Sequence, residues 1–198
     1  MTNKKQIGAR IVRALMILGL VLLLHAPILA QGGPPPNNQA CCLPVSDQPL
    51  TADETKWMGF MREEEKLARD VYQQLNAKWN LRIFANITRS EERHFSSVGA
   101  LLARYDVKDP AQSTSPGVYA DPNLAALYTT LIAKGTISVK DALEVGVLIE
   151  KQDIEDLEAA LKATSKTDLK TVYTNLLAGS LSHLDAFENT LEVLVVNP

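Results

Sequence analysis

Glu91 and His94 stand three residues apart in the stretch ITRSEERHFSSVGALLARY, residues 87–105. At about 3.6 residues per turn they share one helical face with Ile87, Val98, Leu101 and Tyr105. A carboxylate and an imidazole thus sit among residues that suit a core. His183 repeats the anomaly on a stripe of Leu169, Tyr173, Leu176, Ser180, Phe187 and Leu191. Glu65 does so among Met61, Ala68, Tyr72, Leu75 and Trp79. Glu150 does so among Leu143, Val147, Ile154, Leu157 and Leu161, with Asp153 beside it. Burying one ionised carboxylate costs several kcal/mol even after relaxation, and several in one core repel one another. Protonation, hydrogen bonding or a bound cation relieves that cost. Carboxylates beside neutral imidazoles, with no inward thiol, favour iron or manganese, with zinc as the usual competitor.

Each residue also has a plainer reading when taken singly. Glu65 lies in the run EEE, and such charge runs usually form a solvated face. Glu92 follows Glu91, so a boundary error of one residue would exchange them. His94 and His183 each fit a core imidazole bonded to a backbone carbonyl, and Tyr72 a core aromatic with a satisfied hydroxyl. The joint pattern favours a shared site. Four helices each bring an ionisable group inward, and with residues 1–30 set aside the chain has only the two histidines His94 and His183, both on inward stripes.

Four long helical patterns position these groups: about Asp53 to Trp79, Thr88 to Tyr105, Ser138 to Thr164 and Lys166 to Val195. Short links join the first to the second and the third to the fourth. Between the second and third lie about 30 residues with one short helix, from about Pro122 to Lys134, entered through Asp121-Pro122 and closed by Gly135. Two antiparallel hairpins joined by a long crossover form a known four-helix topology. The expected fold class is therefore all-α, with a single bundle domain over residues 51–198.

Residues 1–30 read as a signal peptide: Lys4, Lys5, Arg10 and Arg13 accompany the apolar run ALMILGLVLLL, and Ala30 offers a small residue for cleavage. The expected location is therefore exported, periplasmic or secreted. The alternative is an uncleaved N-terminal membrane anchor, which His25 and Pro27 disfavour by interrupting the run. Residues 31–50, rich in Pro, Gly and Asn, read as a flexible linker. Without residues 1–30 the chain carries 16 basic against 23 acidic residues, a balance of −7. No basic cluster relieves it, which argues against nucleic acid and anionic membranes as partners. Cys41 and Cys42 are adjacent, match no metal-finger spacing and receive no role.

The run EEEKLARDVY, with Glu65 seven positions before Tyr72, and the run EERH resemble the rubrerythrin-type members of the ferritin-like superfamily. The metal site of that superfamily takes a Glu from each of two helices and a Glu-x-x-His from each of the other two. The longer series MREEEKLARDVY, EVGVLIEKQDIEDL and GSLSHLDAF resembles the DUF2202 family over about residues 55–192. The resemblance implies a ferritin-like four-helix bundle with Glu65, Glu91, His94, Glu150 and His183 as metal ligands. Glu144 is a lesser candidate because it lies off the stripe. Ser180 stands where the second Glu-x-x-His would begin, so one carboxylate is missing, and Asp153 is the candidate to replace it.

Two classes of function remain open at this point. One is a di-iron or di-manganese carboxylate protein acting on oxygen or peroxide, with Tyr72 as the candidate catalytic hydrogen-bond donor or shuttle. It would need an external electron donor, since no Cys-rich electron-transfer module accompanies the bundle. The other is a metal-binding or structural bundle without turnover. The resemblance also allows a homodimer.

Overall fold

The structure, a computed structural model, describes residues 48–196. The expected signal peptide, residues 31–47 of the expected linker, and Cys41 and Cys42 lie outside the described residues. Five α-helices and no strand occur among the described residues: α1 (Ala52–Trp79), α2 (Arg82–Arg104), α3 (Pro122–Gly135), α4 (Val139–Ala163) and α5 (Thr167–Val196). None of them is long and apolar enough to cross a membrane. The fold class is the all-helical bundle expected from the sequence. α1 packs along α2 and α4 along α5; α1 also faces α4, α2 faces α5, and α3 braces α1 and α4.

Local chemistry sets the helix ends. Thr51 and Glu54 close a reciprocal capping box: Glu54 N–H donates to Thr51 Oγ1 at 3.1 Å and Thr51 N–H to Glu54 Oε2 at 2.8 Å. Asn80 ends α1 in the left-handed region, φ 52°, a conformation asparagine tolerates better than most residues. Only Asn80 and Leu81 then separate α1 from α2. The second helix starts at Arg82, earlier than the expected Thr88, although Leu81 supplies no side-chain cap. Burial of Phe84 and Ile87 anchors that extra turn. Asp121 caps α3 ahead of Pro122, and Ser138 caps α4.

The core centres on Tyr72, Phe84 and Phe187, whose ring centroids lie 5.3–6.0 Å apart. α4 comes close to Phe187 through Gly146, where an added Cβ would sit 2.6 Å from the ring. α4 is rotated relative to the expected stripe. Leu143, Glu150 and Leu157 are buried as expected, but Val147, Ile154 and Leu161 are only half-buried. Ile149, Gln152, Asp153, Asp156 and Ala160 occupy the inner positions instead. This helix packs against α1, α3 and α5, and those contacts set which side turns inward.

The outer face of α1 holds the crossover in place. Arg62 pairs with Asp109 at 2.9 Å and donates to the Phe95 carbonyl. The fully buried Lys66 ammonium reaches Asp70 at 2.6 Å and the Ser115 carbonyl at 2.8 Å, and Tyr119 donates to the same Asp70 carboxylate at 3.0 Å. Glu63 accepts the backbone N–H groups of Ala120 and Asp121. The run EEE is therefore no solvated face: Glu63, Glu64 and Glu65 are all buried, because α1 is enclosed by α2, α4 and the crossover.

Candidate metal centre

Four helices deliver the inward groups to one level of the bundle. Glu65 comes from α1, Glu91 and His94 from α2, Glu150 from α4 and His183 from α5. The three carboxylate residues are 1–2% exposed and the two histidines 8%. His94 Nδ1 lies 2.9 Å from Glu91 Oε2 and 3.3 Å from Glu65 Oε2. His183 Nδ1 lies 2.7 Å from Glu91 Oε1 and 3.5 Å from Glu150 Oε2. The imidazoles stack at 5.5 Å with 30° between their planes. Two groups that could hold a metal ion result: Glu65, Glu91 and His94, and Glu91, Glu150 and His183, each with candidate ligand atoms within 4.8 Å of one another. Glu91 belongs to both and offers one oxygen to each imidazole.

This geometry could hold cations. His94 Nδ1, His183 Nδ1, Glu65 Oε1 and Glu91 Oε1 are buried without a hydrogen-bond partner, although nitrogen and oxygen stand within ordinary bonding distance. Lone pairs that converge without an aligned N–H between them are what a divalent ion requires. The donor set of carboxylate oxygen and imidazole nitrogen suits iron, manganese or zinc.

Burial, only partly offset by His94, pushes the Glu65 carboxyl up to about 8. Burial also disfavours ionisation of Glu91, but His94 and His183 outweigh it and hold this carboxyl well below its usual range. Burial opposes charge on His183, yet Glu150 and Glu91 raise it to about 10; Glu91 and Glu65 raise His94 in the same way. Glu150 is raised by burial and then by Glu91. Protons thus balance the negative charge of this cluster, and a bound cation would displace them.

Tyr72 donates to Glu150 Oε1 at 2.7 Å, and burial followed by Glu150 keeps its phenol protonated. Its hydroxyl serves the ligand cluster and not merely the core. Asp153 belongs to neither ligand group. It is buried nearby, with Oδ2 accepting from Ser180 Oγ at 2.5 Å. Burial, then Glu65 and Glu150, raises its carboxyl well above the usual value. Glu92, the alternative to Glu91, is exposed and pairs with Arg69 at 2.9 Å. Glu144 points away to Lys134 and Lys140, which removes it from the site.

Sequence reasoning missed Glu64 and Asp156. Glu64 is pushed well up by burial and by Asp156, Asp153 and Glu65, while Asp156 accepts from Gln152 at 2.8 Å. The spacing Glu150, Asp153, Asp156, three residues each, was the available signal for an acidic ladder down one face of α4.

The family model described as "Uncharacterized protein domain (DUF2202)" matches residues 54–195. The chain is similar to "Uncharacterized protein MJ0754" of Methanocaldococcus jannaschii, at 46% identity over 144 residues, covering 73% of this chain and 78% of that protein. The crystal structure of hypothetical protein MJ0754 superposes with a TM-score of 0.75 at 44% identity, over 77% of this chain and 87% of that one. A DUF305 fragment from Deinococcus radiodurans, 14% identical, shares the fold alone, with a TM-score of 0.58 over 73% of this chain and 99% of that one. On the span and strength of these matches, the chain belongs to the DUF2202 family.

Proposed function

We propose that the protein is an exported, ferritin-like metal-binding protein whose centre holds two divalent ions, iron or manganese, and acts on oxygen or peroxide. The observation that carries this reading is the pair of buried ligand groups sharing Glu91, assembled from four helices. The two ligand groups, one at each imidazole, support the count of two. Metal selection favours oxygen-loving ions because, among the described residues, no thiol faces the centre. The signal-peptide pattern of residues 1–30 supports export.

Bound iron or manganese would supply the electron transfer that oxygen or peroxide chemistry requires. This chain's residues do the rest. Glu65 with His94, and Glu150 with His183, would hold the two ions, with Glu91 belonging to both groups. Tyr72 fixes the orientation of Glu150 and keeps a proton at its hydroxyl. Electrons come from a donor outside the chain.

Elemental analysis of the purified protein, with melting curves before and after chelation, tests the centre. Binding at 100 times the dissociation constant adds about 2.7 kcal/mol to stability. Chelation is expected to lower the melting temperature of the wild type and to leave a His94→Ala, His183→Ala double variant unchanged. Peroxide or oxygen consumption by iron-loaded protein then separates turnover from storage. Equal melting behaviour of the two proteins refutes the metal centre.

A further inference from the structure

Ser180 sits fully buried on α5, three residues before His183, where the ligand pattern expects a carboxylate. Its Oγ lies 2.5 Å from Asp153 Oδ2 and 3.0 Å from the Leu176 carbonyl. A hydroxyl carries one proton, and the carboxylate, at the shorter distance, is the stronger acceptor. Asp153 Oδ1 is buried and has no hydrogen-bond partner. One oxygen of this carboxylate is therefore tied down, while the other is buried and unbonded outside the two groups described above.

We propose that Ser180 is a positioning residue: by holding Asp153 Oδ2 it presents Oδ1 to the centre as a single-oxygen ligand. The missing carboxylate of α5 is thereby supplied across the helix interface, from α4. An aspartate one turn beyond Glu150 can swing about its own side-chain bonds, so its reach and direction need a fixed second contact. Ser180 is that contact, because its helix fixes its place and it lies nearly one turn before His183 on the same face. This inference rests on the metal-centre reading above and adds to it the residue that aims the fourth carboxylate.

The test is cobalt(II) titration of the full-length, metal-free protein, read by visible absorption, which reports coordination number and ligand identity. Wild type is expected to take up two ions. Ser180→Ala, which favours the helix, should melt within a few degrees of wild type when metal-free. It should bind one of the two ions at least tenfold more weakly and with an altered visible band. Asp153→Asn should show the same loss, and the double variant should lose no more than twofold beyond Asp153→Asn alone. Unchanged affinities and spectrum in Ser180→Ala overturn the proposal, as do losses that multiply in the double variant. Wild type that takes up no cobalt, or His94→Ala that takes up as much as wild type, instead overturns the centre itself and this assignment with it.

Discussion

Gly179→Ala disturbs the centre without altering any ligand. A Cβ at Gly179 would stand 2.5 Å from His94 Nε2, 2.6 Å from its Cε1 and 3.9 Å from His183 Cε1. Restoring a normal separation of roughly 3.5 Å requires the His94 ring to retreat by about 1 Å. Its Nδ1, now 2.9 Å from Glu91 Oε2, moves with it. Metal–ligand distances tolerate only about 0.2 Å, so the Glu65–Glu91–His94 group should lose ion affinity by tenfold or more. In the metal-free protein two effects oppose: overpacking costs about 1–3 kcal/mol, while replacing a mid-helix glycine returns about 0.5–1 kcal/mol. The net expectation is a loss of about 1 kcal/mol without metal and a further loss of about 1.4 kcal/mol at a fixed, saturating manganese concentration. Urea unfolding with and without manganese, alongside isothermal titration, measures both. An affinity within twofold of wild type would show that the His94 position is immaterial and refute the ligand assignment.

Three further outcomes follow from the same structure. Tyr72→Phe removes the donor to Glu150 Oε1 and should cost the metal-free protein about 1.5–3 kcal/mol by urea unfolding; a change below about 0.5 kcal/mol would mean that the hydroxyl does not hold this carboxylate. Lys66→Met leaves the buried Asp70 to Arg69 and Tyr119 and frees the Ser115 carbonyl. It should destabilise the chain by about 3 kcal/mol and speed proteolysis near Ser115. Unchanged cleavage there would contradict the pinning of the crossover. Glu54 is subject to burial, which raises its carboxyl, but hydrogen bonds from Thr164 and Thr51 outweigh this and lower it from 4.5. A carboxyl whose folded value lies below its unfolded value contributes stability above that unfolded value and loses it as pH falls. Wild type should therefore weaken more steeply than Glu54→Gln as pH falls from about 6 through 4.5 toward about 3; parallel slopes would exclude the role.

The helices and most of the buried Glu/His cluster are legible from residue order, because period and spacing are local properties. Glu91 and His94 share a face wherever their helix goes, and the caps at Thr51, Asp121 and Ser138 are written in neighbouring residues. Other features depend on which helix lies against which. The earlier start of α2 depends on where Phe84 packs. The burial of Glu63 and Glu64, inside a run that reads as solvated, follows from the crossover lying over α1. The exclusion of Glu144, the exposure of Glu92 and the rotation of α4 also arise only from tertiary packing. So does the pairing of Ser180 with Asp153, 27 residues apart in the chain. Spacing along a helix fixes direction about one axis, but whether four such directions meet at one depth is set by the relative rotation and height of the helices. Those quantities come from side-chain packing between distant segments, and no local pattern encodes them.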